Sequence, residues 1–203
     1  MKTLLVLLTL LVAPSLAHGQ RRYYYYSWDR NEISVGGGVQ LDATGWEPAG
    51  MKLFFEYARR LGPHGAIVFQ ANPLVVQGPH NGDCHAQYTN CPGGFSGNGY
   101  SFDLLFGGKW RWHAARAPLL GTFDLTFGVV PLFERAFDDN GVAMVARAGG
   151  GLVVLLARHV GLRFDAHLIA GPAFLNFERC DGCDVVVHPY VAFDTGVMVE
   201  FIF

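Results

Sequence analysis

Leu120-Gly121-Thr122-Phe123-Asp124-Leu125-Thr126-Phe127-Gly128-Val129-Val130 decides the fold. Phe123, Leu125, Phe127 and Val129 alternate with Thr122, Asp124, Thr126 and Gly128, a period of two without exception. Successive side chains of a β-strand point to opposite faces, so this segment is a strand with one apolar face and one polar face.

Working outward, seven further segments carry the same alternation. Ile33 to Leu41 sets Ile33, Val35, Val39 and Leu41 against Glu32, Ser34 and Gln40. Met51 to Arg60 sets Leu53, Phe55 and Tyr57 against Lys52, Glu56 and Ala58, and Ala66 to Val76 sets Ile67, Phe69, Ala71 and Val75 against Gln70 and Asn72. In Tyr100 to Trp112, Phe102, Leu104, Phe106 and Trp110 oppose Ser101, Asp103, Lys109 and Arg111. Val142 to Leu156 places Ala146, Ala148, Leu152 and Val154 opposite Arg147, Gly149 and Gly151. Val160 to Phe174 alternates Val160, Leu162, Phe164, Ala166 and Leu168 with Arg163, Asp165 and His167. Val187 to Phe203 alternates Val191, Phe193, Val197, Val199, Phe201 and Phe203 with Asp194, Met198 and Glu200. The chain is all-β, with eight strands.

A soluble sandwich or small-ligand barrel also alternates, so the faces decide between the two environments. Here the apolar face is rich in Phe, Leu and Val on every strand, while the other face mixes both charge signs with glycine. Lipid outside and a polar lumen inside fit that distribution, and segments of about ten residues match a tilted membrane strand better than the roughly five or six of a soluble one. Hydrophobic residues make up 51% of the chain and charged residues 16%, against roughly 25% charged in soluble domains. The expected architecture is an eight-stranded antiparallel up-and-down transmembrane β-barrel. A net charge of -2 argues against a nucleic-acid partner, which usually demands a basic face.

The N-terminus reads Met1-Lys2, an apolar run from Leu4 to Val12, then Ala13-Pro14-Ser15-Leu16-Ala17-His18-Gly19. Basic start, short apolar core and small residues make residues 1–19 a signal peptide, cleaved after Ala17 or Gly19, with 20–203 as one barrel domain. The run is far below the roughly 20 residues of a membrane helix. In an exported chain the cysteines, Cys84 with Cys91 and Cys180 with Cys183, read first as disulfides, and local pairing is the simplest of three connectivities.

Connection lengths set the orientation, because outer-membrane barrels have short periplasmic turns and longer external loops. Asp42–Gly50, Gln77–Gly99, Leu132–Gly141 and Asn176–Val186 fall as external loops; Leu61–Gly65, His113–Pro118 and Ala157–His159 fall as periplasmic turns. His113–Pro118 fits least well. The external set collects Asp42, Glu47, Asp83, Glu134, Asp138, Asp139, Glu178, Asp181 and Asp184, whereas Arg59, Arg60, Arg111, Arg116 and Arg158 gather at the periplasmic ends. Both cysteine pairs land on the external side. Asp138-Asp139-Asn140-Gly141 reads as a turn, with Asn-Gly supplying positive φ. Tyr23 to Tyr26 with Trp28, and Trp110 with Trp112, suit interfacial girdles.

The chain ends Gly196-Val197-Met198-Val199-Glu200-Phe201-Ile202-Phe203. This alternation, with Phe201 and a terminal Phe203, resembles the signal by which outer-membrane barrels are recognised by their assembly machinery. Signal and eight strands together resemble the small outer-membrane barrels of the OmpA/OmpX type, except that the glycine often found nearer the end stands at Gly196. The resemblance implies a cell outer-membrane location, contact with outer-membrane lipid and lipopolysaccharide, and the barrel assembly machinery as a partner. It names no extracellular ligand.

Charges expected to face the lumen are Glu32, Lys52, Glu56, Asp103, Lys109, Asp124, Arg147, Arg163, Asp165, Asp194 and Glu200. An eight-strand interior is just wide enough for side chains, and an unpaired charge away from water is costly, so these are expected to form a structural ion-pair network rather than line a porin-like channel. Asp165 and His167, two apart on one face, have the spacing of a carboxylate orienting a histidine base. Lipid A deacylases and acyltransferases are small barrels that add a serine near the outer rim, yet only Ser96 lies in an external loop. Cys180-Asp181-Gly182-Cys183 has the spacing of a redox or zinc motif, but a redox reading needs a βαβ context that the chain lacks, and a four-ligand zinc site would need Cys84 and Cys91, or His85 and His188, to converge on it. The expected role is structural or surface-interacting, displaying acidic, disulfide-stapled loops, with no cofactor, metal or catalytic residue. A lipid A-modifying enzyme and a soluble periplasmic or secreted barrel binding a small apolar ligand are the alternatives.

Overall fold

A computed structural model describes residues 31–43, 50–77, 98–113, 119–134, 139–157, 159–176 and 186–203. Residues 1–19, Tyr23 to Tyr26, Trp28 and both cysteine pairs lie outside them. The eight strands are β1 (Asn31–Asp42), β2 (Gly50–Arg60), β3 (Gly65–Gln77), β4 (Asn98–His113), β5 (Leu119–Glu134), β6 (Asp139–Ala157), β7 (Val160–Asn176) and β8 (Val186–Ile202). Each pairs antiparallel with the next, and β8 pairs with β1 to close the barrel. The first and last described residues meet at the seam: Asn31 N–H donates to the Phe203 carbonyl at 2.8 Å and Phe203 N–H to the Asn31 carbonyl at 2.9 Å. All eight segments read from alternation are strands, and the barrel is the one expected.

Closure fixes a stagger. Cross-strand partners lead from Glu32 through Ala58, Val68, Gly107, Thr126, Arg147, Ile169 and Ala192 back to β1 at Asp42, ten positions beyond the start. Such a shear tilts the strands, typically by about 35–45° in closed barrels. It also decides which inward side chains share a level, so neighbours in the lumen are far apart in sequence.

Burial follows the alternation strictly; β2 alternates exposed and buried from end to end. Outward side chains are large and apolar, and Phe106, Phe127, Leu152 and Leu168 are each more than half exposed. A continuous apolar exterior of this kind suits lipid and not water. Tyr57, Trp110 and Trp112 face outward near the chain termini; Tyr57 Oη donates to Asn31 Oδ1 at 2.8 Å, and the Trp110 and Phe123 rings lie 6.0 Å apart.

Two expectations are corrected at the end opposite the termini. Asp139, Asn140 and Gly141 are not a turn: they open β6, where Glu134 pairs with Asp139, Phe133 with Asn140 and Leu132 with Gly141. Asn-Gly permits a left-handed turn but does not impose one, and the ladder continues through it. The connection shrinks to residues 135–138, no longer than 114–118 at the opposite end. Asp42 and Glu134 likewise belong to strands rather than loops. Pro73, Pro131 and Pro172, which lack the N–H that a ladder needs, each stand where pairing with the preceding strand is interrupted.

Candidate functional site

Inward positions carry the chemistry of this protein. Glu32, Lys52, Glu56, Asp103, Lys109, Asp124, Arg147, Arg163, Asp165, Asp194 and Glu200 are all buried inside the barrel, on seven of the eight strands. The shear stacks them into linked groups.

Nearest the termini, the Glu32 carboxylate bonds both Arg60 and Arg111, and Arg111 Nη2 also reaches Glu200 Oε2 at 2.9 Å. Arg60 and Arg111, which charge sorting places at one end of their strands, turn inward at that end, Arg111 on the polar face that the alternation of β4 gives it. Both occupy even steps from inward residues of their strands, and a buried carboxylate holds them there. Above this group Glu56 is a hub. It bonds Lys109, receives a two-pronged contact from Arg163 at 2.6 and 2.9 Å, and accepts from Gln70 Nε2 at 2.9 Å. Such paired guanidinium contacts fix direction as well as charge. Arg163 Nε also lies 2.7 Å from Asp165 Oδ2.

A second hub is Asp194, reached by Arg147 Nη2 at 3.0 Å and Lys52 Nζ at 3.1 Å. Lys52 also pairs with Asp103 and donates to Gln40 Oε1 at 2.6 Å. Gln40 Nε2 in turn donates to Tyr190 Oη at 2.9 Å. Arg147 Nη1 donates to Gln70 Oε1 at 2.9 Å, so Gln70 joins the two hubs. The Arg147 guanidinium also sits 5.9 Å from the centre of the Phe54 ring, a cation–π distance.

Asp165 and His167 do not form the pair that their spacing suggests. Asp165 is turned to Arg163, whereas His167 Nε2 lies 2.9 Å from Asp124 Oδ2 and Nδ1 lies 2.8 Å from Arg147 and 3.2 Å from Asp194 Oδ1. Asp165 has Arg163 and His167 each two residues away and turns to the guanidinium, while His167 is drawn to carboxylates on β5 and β8. His167 is 1% exposed, held as a brace.

Some inward residues break the simple polar pattern and were not legible as a group. At the loop end Val130, Leu132, Ala143, Val145, Ile169 and Ala173 form an apolar layer with their neighbours; at the termini end Leu120, Val153, Leu155 and Ile202 form another. Between the layers the space lined by Phe54, Glu56, Gln70, Arg147, Arg163 and Met198 among others has no room for a water molecule. The arrangement braces the wall and fills the bore. Among the described residues no cluster of His, Cys, Asp and Glu has the geometry of a metal site.

No protein-family model and no curated protein sequence matches the chain. Solved structures do. Neisserial surface protein A matches with a TM-score of 0.57 at 7% identity, over 87% of this chain and 98% of its own. The outer membrane protein OprG of Pseudomonas aeruginosa matches at 0.52 and 7%, over 88% and 97%, and the outer membrane protein AlkL at 0.51 and 14%, over 90% and 93%. The chain has the fold of small bacterial outer-membrane barrels.

Proposed function

We propose that the protein is an outer-membrane barrel with a structural and surface-interacting role, braced from within and active through its loops. One observation carries this reading: the lumen is crossed by ion pairs between non-adjacent strands, Arg111 of β4 with Glu200 of β8 directly across the ring and Arg163 of β7 with Glu56 of β2, which among the described residues fill the bore. The apolar exterior and the likeness to outer-membrane barrels support the location, with lipopolysaccharide and phospholipid as the surrounding partners. Phe201 and Phe203 face outward on the closing strand, accessible to an assembly machinery that reads the last strand. Residues 78–97 and 177–185 connect strands at the end away from the termini, and they carry Cys84, Cys91, Cys180 and Cys183 with Asp83, Glu178, Asp181 and Asp184. In this reading they are stapled, acidic display loops.

Planar-bilayer recording together with lipid A analysis tests the proposal. A folded barrel that gives no stable conductance, in cells whose lipid A acylation is unchanged by deleting the protein, agrees with it. Steady channels, or an acyl-chain difference that His167→Ala abolishes, contradict it.

A further inference from the structure

The outward wall is apolar on every strand, with one exception at the end where Asn31 meets Phe203. Among the described residues, Arg59 on β2 is the only charged side chain that faces outward from a strand, and its guanidinium has no ion-pair or hydrogen-bond partner among them. The carboxylates nearest that end, Glu32 and Glu200, point into the lumen and are held by Arg60 and Arg111. An unpaired guanidinium is costly in hydrocarbon and tolerated at headgroup depth.

The surroundings of Arg59 place it at that depth independently. It is the cross-strand partner of Asn31 on β1 and of Ile67 on β3, and Ile67 is in turn the partner of Gly108 on β4. On the β1 side, Tyr57 Oη donates to Asn31 Oδ1 at 2.8 Å, which leaves the Asn31 Nδ2 donors beside Arg59. On the β4 side, the Trp110 indole lies back over Gly108, where a Cβ would stand 3.1 Å from its Cη2, and so reaches the level of Arg59. Tyrosine and tryptophan on the outside of a barrel mark the membrane interface. One step towards mid-barrel, Tyr57 pairs with Ile33 on one side and Phe69 on the other, and all three are exposed. A cation and an amide thus stand at the edge of an apolar strip.

We propose that this outward face of β1, β2 and β3 is a site for one phospholipid of the leaflet at that end. Arg59 and the Asn31 amide hold its phosphodiester, and an acyl chain lies along Ile33, Phe69 and the Tyr57 ring. The site rests on the outer-membrane reading above and adds a particular lipid to it. A guanidinium meets phosphate oxygens two at a time. No carboxylate among the buried and exposed side chains described faces outward from a strand, so the ammonium of a zwitterionic headgroup finds no counter-charge here. An anionic headgroup that ends in hydroxyls, as in phosphatidylglycerol, is therefore preferred.

Native mass spectrometry tests this with the full barrel released from nanodiscs that hold phosphatidylglycerol and phosphatidylcholine in equal amounts, with matched acyl chains. The expected result is one retained phosphatidylglycerol, preferred about fivefold, the contribution of one basic side chain at a lipid surface. Arg59→Gln is expected to abolish the preference in a protein that still gives the compact, unboiled gel form of a folded barrel. Tyr57→Phe, which frees Asn31 from its partner, is expected to weaken it, and decides the matter should Arg59→Gln fail to fold. Arg59→Gln with Leu61→Arg restores the net charge two residues along the same face and is expected not to restore the preference. Excess glycerol phosphate, which lacks the acyl chain, is expected not to displace the lipid. Equal retention of the two lipids by an inserted, heat-modifiable barrel overturns the site and leaves the barrel reading intact, whereas a chain that does not insert overturns both. A preference that survives Arg59→Gln, or returns with Leu61→Arg, reduces the effect to general charge attraction, and displacement by glycerol phosphate makes a soluble phosphate the ligand; each of these results overturns the proposal.

Discussion

Arg147 bonds Asp194, Gln70 and His167 and lies 3.7 Å from Asp124, so its removal strips a cation from two buried carboxylates at once. Breaking a buried pair by removing one partner costs roughly 3–5 kcal/mol, most of it from the charge left behind. Arg147→Met is expected to lose that much stability, measured by urea unfolding in lipid vesicles, while Asp194→Asn in the same background recovers part of it. Equal destabilisation by the single and the double variant would deny the coupling. Gly149 shows a second constraint: a Cβ there would stand 2.2 Å from the Ala166 carbonyl oxygen and 2.6 Å from His167 Cα. Gly149→Ala is therefore expected to prevent the heat-modifiable form, whereas Ala148→Gly, next door and facing lipid, leaves it intact. Which residues face inward was legible in the sequence, but which of them touch was not. Arg163 and His167 stand equally two residues from Asp165, and His167 is taken up instead by partners that the barrel brings to it from β5, β6 and β8, which no local spacing records.

At the level of the strand, β5 shows why most of the fold was readable. A period of two leaves no intermediate, so a shift of one residue would exchange every side chain between lipid and lumen. Leu125→Arg is expected to cost about 2–4 kcal/mol near mid-bilayer, the known range for a cation on the lipid face of a barrel, whereas Thr126→Ser, one position away and inward, changes stability little. Urea midpoints in vesicles separate the two. Strand ends were less legible than strand faces: Asn140-Gly141 carries a turn signal yet pairs with Phe133 and Leu132, since cross-strand partners override a local preference. Prolines leave a different mark. Amides flanking Pro73, Pro131 and Pro172 are expected to exchange with deuterium faster than those of Phe123 to Phe127, where the ladder is unbroken; uniform protection along the strands would contradict the interrupted pairing.

For the whole molecule, the central claim is that the chain is inside out relative to a soluble protein, with apolar side chains around a charged, braced interior. The composition pointed there, since 16% charged residues cannot cover a water-facing surface of ordinary polarity. The apolar layers at both ends of the lumen were hidden, because Val130, Ala143 and Val153 are inward apolar residues of separate strands and nothing in one strand's alternation records that closure brings them together. The most direct measurement uses the unaltered protein in bilayers: nuclear Overhauser contacts between lipid acyl-chain protons and the side chains of strand β5. The account predicts contacts from acyl methylenes to the Leu125 methyls and the Phe127 ring, and none to the Thr126 methyl. Water contacts at Leu125, or acyl contacts at Thr126, would contradict it.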